Sequence, residues 1–324
     1  MTAAAARPLR SGFAAGATLA VLVVASLAIG VGDMRLDRLA SDPEALRLML
    51  ASRLPRTLAA LLAGAGLGVA GLVMQALARN RFVEPTTAGT DQSAAAGVLV
   101  ATLLFPAASL PAKTLIASAA ALAGTSLFLS VAHRLPPNQP FLVPLFGLVY
   151  AAVLGSATAF VAWQTDLIQF YEIWTRGEFS GVLRGRYELL WISAAMVALA
   201  FWAAGRLTIL SLGREVSVGL GLDYQAMMRL GLVIVSVVSA LTVVVVGAIP
   251  FVGVVAPNLV TRALGDDLRR AAPWTALVGA CLTLACDVLG RLVRFPYEVP
   301  VGVVVGIVGA SLFLWLLFGR RARG

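Results

Sequence analysis

Charge, histidine, lysine and cysteine are all scarce in this chain. Only 13% of its 324 residues are charged, where soluble domains carry about 25%. That shortage, set against so much apolar residue, excludes a water-soluble globule, a disulfide scaffold and a disordered chain. The two cysteines, Cys281 and Cys286, stand five apart within one apolar run. On a helix that separation is too long for a disulfide and lacks the spacing of a metal site, so both read as small core residues. The one histidine, His133, lies beside Arg134 in a short polar loop and reads as solvated. A carrier of bare transition metal needs several His, Cys or carboxylate ligands inside the membrane. With few candidates here, any metal that crosses arrives already chelated. Lysine also occurs once, at Lys113 in Leu110-Pro111-Ala112-Lys113-Thr114. A phosphate-binding loop needs glycines and a Lys-Ser/Thr pair opening a helix, so hydrolysis of ATP by this chain unaided is not expected.

Apolar residues are what the chain has in abundance. They make up 60% of it, and the mean hydropathy is +0.90. The net charge of +9 would suggest nucleic acid in a soluble protein. Here the cations punctuate long apolar runs instead of forming a stripe, which excludes a nucleic-acid partner. The expectation is an all-α polytopic membrane protein, one domain over residues 1–324, with about ten spans of roughly 20 residues. The runs lie near 12–32, 57–79, 91–105, 112–132, 141–163, 187–205, 227–248, 251–265, 273–292 and 300–318. The first follows Arg7 and Arg10 and is long for a signal peptide, so it reads as an uncleaved helix. The third and eighth runs are short, and Pro257 interrupts the eighth. Broken helices survive at membrane depth only where protein or a water-filled cavity covers their backbone.

Ten spans put both termini on one side, and Arg320, Arg321 and Arg323 mark it as cytoplasmic. The opposite side is unusually basic, which fits interfacial snorkelling, docking of an acidic partner, or a funnel for an anionic solute. Gly64, Gly68 and Gly71, and again Gly302, Gly306 and Gly309, recur at three- and four-residue spacing. Each set forms one smooth helical stripe against which a neighbouring backbone can pack closely.

Five segments carry a resemblance. They are Arg53-Leu54-Pro55-Arg56-Thr57-Leu58; Gln75 with Arg79-Asn80-Arg81-Phe82-Val83-Glu84-Pro85; Leu212-Gly213-Arg214-Glu215 running to Leu220-Gly221-Leu222; the run from Ile249-Pro250-Phe251-Val252-Gly253 through Ala256-Pro257-Asn258 to Arg262; and Asp287, Arg291 and Glu298-Val299-Pro300-Val301-Gly302. In this order, over about residues 53 to 318, the chain resembles the FecCD family. These are the membrane permeases of bacterial binding-protein-dependent ABC importers for iron–siderophores, haem and cobalamin, with a type II importer fold.

The resemblance implies roles residue by residue. Arg53, Arg56 and Arg291 match outer-face arginines that receive glutamates of a periplasmic substrate-binding protein, and a guanidinium fork suits carboxylates. Each also has a local alternative: Arg53 and Arg56 as helix-end anchors, Arg291 as an ion pair with Asp287 four residues before it. Residues 210–224 match a cytoplasmic loop that folds into two short helices against an ATP-binding subunit, with Leu212, Gly213, Glu215, Gly219, Leu220 and Gly221 at the coupling surface; a plain connecting loop is the alternative. Asn80 and Phe82 match a cytoplasmic gate, and Asn138 and Gln139 fall where a second gate layer belongs. Where the family commonly has Asn-Pro-Leu-Ala, this chain has Asn80-Arg81-Phe82-Val83, and Arg81 leaves the gate geometry open. Pro257, Asn258 and Asp287 are expected to be structural.

The expected function is that of a permease subunit in the bacterial inner membrane, translocating ferric siderophore. Asn258 in place of a histidine, the segment from Trp174 through Trp191, and Arg294-Phe295-Pro296-Tyr297-Glu298 resemble permeases for catecholate-type siderophores; an interfacial aromatic belt is the plainer reading of the same rings. A second permease subunit is expected, in a heterodimer or a homodimer. No cofactor is expected on this chain, ATP being used by the partner subunit. Cobalamin or haem import is the alternative within the family. From another class, an ion-coupled secondary transporter needs ionisable groups buried in the spans, for which Asp287 with Arg291 is the candidate. A membrane enzyme needs a cluster of His, Asp, Glu or Ser at one face, and none is apparent.

Overall fold

A computed structural model describes residues 6–30, 43–136, 139 and 141–318, and among these the regular structure is helical throughout. In chain order the α-helices are α1 (Ala6–Ala28), α2 (Pro43–Leu48), α3 (Leu54–Ala78), α4 (Thr90–Leu104), α5 (Leu110–Ala132), α6 (Leu142–Gln164), α7 (Ile168–Arg176), α8 (Leu190–Ser211), α9 (Arg214–Gly219), α10 (Tyr224–Val245), α11 (Val252–Leu264), α12 (Leu268–Leu292) and α13 (Val301–Phe318). A π-helical turn, Met49–Arg53, joins α2 to α3, and a 3₁₀ turn, Tyr187–Leu189, leads into α8.

The expected count of about ten full spans is too high. Among the described residues seven helices are long and apolar enough to cross a membrane, with Ala15–Ala28 and Val252–Leu264 as shorter apolar helices. The expected third and eighth spans are α4, of 15 residues, and α11, of 13. At 1.5 Å per residue they cover only about three-quarters and two-thirds of a hydrocarbon core roughly 30 Å thick. The second span is longer than expected and runs from Leu46 to Ala78, through the π turn.

α3 is the central column. Its Ala- and Gly-rich sequence is buried on nearly every side, packed against α8, α10, α11 and α12. The glycine stripe read from the sequence makes this possible. A Cβ on Gly64 would meet the Gly279 carbonyl of α12, one on Gly68 the Thr275 carbonyl, and one on Gly71 the Gly253 carbonyl of α11. In the second set Gly302 and Gly309 are crowded by Arg176 and Phe251, whereas Gly306 faces open space. α6 and α13 are the opposite of α3: both are apolar and mostly uncovered, with Val153, Phe160, Trp163, Ile307 and Trp315 exposed.

Three chain interruptions meet at membrane depth. They are the 79–89 connection before α4, the end of α7, and the 246–251 break before α11. The backbones of the last two pair with one another and with the start of α13: Ala248 N–H donates to the Trp174 carbonyl at 2.9 Å, Glu178 N–H to Val246 at 2.8 Å, and Gly302 N–H to Gly177 at 3.0 Å. The first meets the break through the Glu84 side chain, which accepts Phe251 N–H at 2.9 Å. This mutual pairing lets irregular backbone persist where lipid offers no partner.

Candidate functional site

The arginines at 53, 56 and 291 come together at one end of the bundle. Arg53 Nη1 donates to the carbonyls of Leu27 and Ala28 at 2.8 and 2.9 Å, so its cation sits at the negative C-terminal end of α1. Arg56 reaches Asp287 at 2.7 Å and Glu298 at 2.8 Å. Arg291 pairs with Asp287 and also donates to Ser26 O and Ile29 O, both at 2.8 Å. Ser26 Oγ accepts from Arg291 and is bonded to Thr57 Oγ1 at 2.8 Å. The cluster therefore ties α1, α3, α12 and the segment entering α13 to one another. Arg53 and Arg291 are only 7% and 4% exposed. Both local alternatives raised by the sequence are present, Arg53 as a helix-end anchor and Arg291 as the i, i+4 partner of Asp287. Glu298, which sequence reasoning left without a role, holds the exposed edge of Arg56. The more accessible cations at this end are Arg47, Arg184 and Arg294. Arg184 N–H donates to Ala51 O at 3.2 Å, and Arg294 lies over the Tyr297 ring at 5.6 Å.

At the opposite end, residues 210–224 form one short helix, α9, where two were expected. Leu210 still belongs to α8, and Tyr224 already opens α10 behind an Asp223 cap that accepts Ala226 N–H at 2.9 Å. The two turns are made by Gly213 and Gly221, at φ 99° and 79°, a region where a side chain is disfavoured. Gly219, expected at the coupling surface with them, is the last residue of α9 and makes no turn of its own. Ser217 anchors α9 inward through Ile209 O at 2.8 Å. Leu212, Val216, Val218 and Leu220 are left exposed beside Glu215.

The same end holds the expected gate residues. Asn80 Oδ1 accepts Phe82 N–H at 2.9 Å, a side-chain turn that fixes the direction of the Phe82 ring. That ring stacks on Phe141, just before α6, at 5.5 Å and meets Phe313 of α13 edge-on at 5.9 Å. Arg81 turns away and pairs with Asp266 beyond α11, while Asn258 donates to the carbonyls of Arg81 and Val254, both at 2.7 Å. Gln139 borders a cavity of about 390 Å³ with Asn80, Phe82 and His133. Asn138 lies outside the described residues. His133 is exposed, as expected of a solvated loop residue, and also bonds the Leu77 carbonyl at 2.9 Å, tying the end of α5 to α3.

Pro257 does not interrupt α11, which runs through it; the break comes earlier, at 246–251. A proline in a helix frees the carbonyl four residues before it, here that of Gly253. Gln75 Nε2 donates to that oxygen at 3.3 Å. The N-terminus of α11, which begins at membrane depth after Phe251 at φ 66°, is met by the buried Glu84 carboxylate, which accepts Phe251 N–H at 2.9 Å. Neither Gln75 nor Glu84 was assigned a role from sequence. The proline five residues inside an apolar run was the signal that a nearby polar side chain must answer it. Among the described residues no group of three or more His, Cys, Asp or Glu is placed to hold a metal, and Cys281 and Cys286 are free.

Comparison with known proteins bears on what this arrangement does. Residues 18–319 match the FecCD transport family. The petrobactin import system permease protein YclN of Bacillus subtilis is 42% identical, over 94% of this chain and 96% of that protein. The ferric-anguibactin transport system permease protein FatD of Vibrio anguillarum is 38% identical, over 85% of this chain and 88% of that one. An inward-facing metal-chelate type ABC transporter superimposes with a TM-score of 0.79, at 24% identity over 95% of this chain and 98% of its own.

Proposed function

The chain belongs to the FecCD transport family, and from that premise we propose that it is the permease subunit through which a binding-protein-dependent ABC importer passes ferric siderophore across the bacterial inner membrane. The observation that carries the substrate class is the relatedness to permeases named for petrobactin and ferric-anguibactin over nearly the whole chain. The geometry supports the division of labour. α9, held out on two glycine turns with an apolar edge exposed, is the surface for a separate ATP-binding subunit. That subunit binds and hydrolyses ATP, and this chain needs no cofactor of its own. α9 lies on the cytoplasmic side with both chain termini. Its displacement tilts α8 and α10 and shifts access from one face to the other, with Asn80, Phe82 and Gln139 closing the cytoplasmic end.

The arginine end faces the periplasm and receives the substrate-binding protein. Arg53 and Arg291 are committed inside the chain, so carboxylates of that partner meet Arg47, Arg184 and Arg294 and reach Arg56 only by displacing Glu298 from it. The exposed apolar faces of α6 and α13 suit a second permease subunit, a similar chain or an identical one. The ion-coupled reading is weakened because its candidate carboxylate, Asp287, is paired within the chain with two guanidiniums, those of Arg56 and Arg291.

The test is uptake of radioactive iron by cells lacking the chain and by complemented cells. Iron is supplied as a catecholate siderophore, as a siderophore of another class and as a simple salt, with labelled cobalamin in parallel. Loss confined to a siderophore supports the reading. Loss of cobalamin uptake alone moves it to the vitamin, and insensitivity of uptake to ATP depletion refutes the ABC mechanism.

A further inference from the structure

The peptide group between Arg81 and Phe82 is held from both sides. Its N–H donates to Asn80 Oδ1 at 2.9 Å, and its carbonyl, that of Arg81, accepts from Asn258 Nδ2 of α11 at 2.7 Å. The Asn258 amide also donates to Val254 O at 2.7 Å. Both partners are carbonyl oxygens, so the Nδ2 side of the amide must face them. Asn80 is a local contact, two residues from Phe82. Asn258 stands 177 residues from Arg81 and ties the loop to a different helix.

This hold matters because packing leaves the Phe82 ring room to turn. The ring borders two cavities at once, one of about 600 Å³ shared with Asn258, Phe141 and Phe313, and one of about 390 Å³ shared with Asn80 and Gln139. Its ring contacts, at 5.5 and 5.9 Å, are individually weak attractions. A peptide plane can rotate only about the soft dihedrals on either side of it, here ψ of Arg81 and φ of Phe82. Rotating that plane therefore swings the Phe82 side chain, and two asparagines oppose the rotation.

α11 is also placed to carry a movement to this peptide. The loop is fastened to it a second time where Glu84 accepts Phe251 N–H at 2.9 Å. Beyond the far end of α11, Asp266 pairs with Arg81, and Leu268 N–H at the start of α12 donates to Thr208 Oγ1 at 3.0 Å. Thr208 lies in the last turn of α8, just before α9.

We infer that Asn258 is a positioning residue of the cytoplasmic gate: it holds the Arg81–Phe82 peptide to α11, so that the Phe82 ring follows that helix. The inference rests on the transport reading above, with Phe82 in its gate, and adds the residue that ties the gate to the bundle.

The experiment uses the full chain assembled with its partner subunits in vesicles, and reads release of an entrapped ferric bis-catecholate without ATP. Asn258→Leu removes the donor at similar size. Release is expected to rise about two- to tenfold, the scale of one net hydrogen bond, with the complex still assembled. Adding Asn258→Leu to Phe82→Ala is expected to change release by less than about twofold, because a residue that acts through the ring then has nothing to act on. Asn258→Asp keeps the shape, replaces the donor by an acceptor, and gives the same comparison if Asn258→Leu does not assemble. Equal added release on both backgrounds is what a merely structural role produces, and it overturns the inference. So does a tight Asn258→Leu vesicle beside a leaking Phe82→Ala one, with the gate left in place. A tight Phe82→Ala vesicle overturns the gate and this inference together. Failure of the unaltered chain to import the chelate with ATP and binding protein overturns the transport reading itself.

Discussion

The two ends of the bundle contain the same kind of contact in opposite surroundings. At the proposed periplasmic end Asp287 and Arg291 are 2% and 4% exposed, with Arg56 closing on the same carboxylate. At the proposed cytoplasmic end Arg81 and Asp266 pair with 45% and 65% of their side chains in the open. Burial decides what each contact does. The outer cluster cannot lose one member without stranding charges away from water, whereas the inner pair can open and be rehydrated at little cost. One end is built to stay joined, and the other, with its glycine turns and stacked rings, is built to rearrange.

Removing one member of the outer cluster should have the largest effect. Asp287→Ala leaves Arg56 and Arg291 facing each other, and a loss of about 3–5 kcal/mol is expected, read as a large drop in melting temperature and in assembled complex. A variant as stable as the parent would end the claim that this end is a clamp. Gly221→Val puts a branched side chain at φ 79°, a strain of about 1–2 kcal/mol. ATP hydrolysis should persist while uptake falls about tenfold, because the turn that presents α9 is lost; unchanged coupling would put the ATPase contact elsewhere. Phe82→Ala removes two ring contacts worth about 0.5–1.5 kcal/mol each. Its stability cost should be modest, with ATP-independent leakage in reconstituted vesicles as the sensitive readout, and a tight vesicle would take Phe82 out of the gate. Asp266→Asn should cost no more than about 1 kcal/mol, and a loss matching that of Asp287→Ala would erase the contrast between the ends. Least of all, Cys281→Ala with Cys286→Ser should leave uptake near that of the parent.

Much of the fold was legible because apolar run length and small-residue spacing are local properties. Seven spans, the α3 glycine stripe and the i, i+4 pairing of Asp287 with Arg291 could each be read from neighbouring letters. The miscounted spans are those where the chain breaks at membrane depth, since whether a run of 13 or 15 residues crosses depends on what covers its ends. Pro257 misled for a related reason. Its missing N–H announces a free carbonyl, but only the fold shows that Gln75, far away in sequence, meets it and lets α11 continue.

The functional residues divide in the same way. The glycines flanking α9 and the aromatic at Phe82 stand in recognisable local motifs. The burial of Arg53, the grip of Glu298 on Arg56 and the cap of Glu84 on α11 are relations between segments remote in sequence. Composition, run length and motif order determined by themselves that this is a helical membrane permease of a recognisable family. Which arginines remain available at the surface and where the helices break were decided only by tertiary structure. The physical reason is that burial and hydrogen-bond satisfaction belong to the packed molecule, whereas hydrophobicity and spacing belong to the chain.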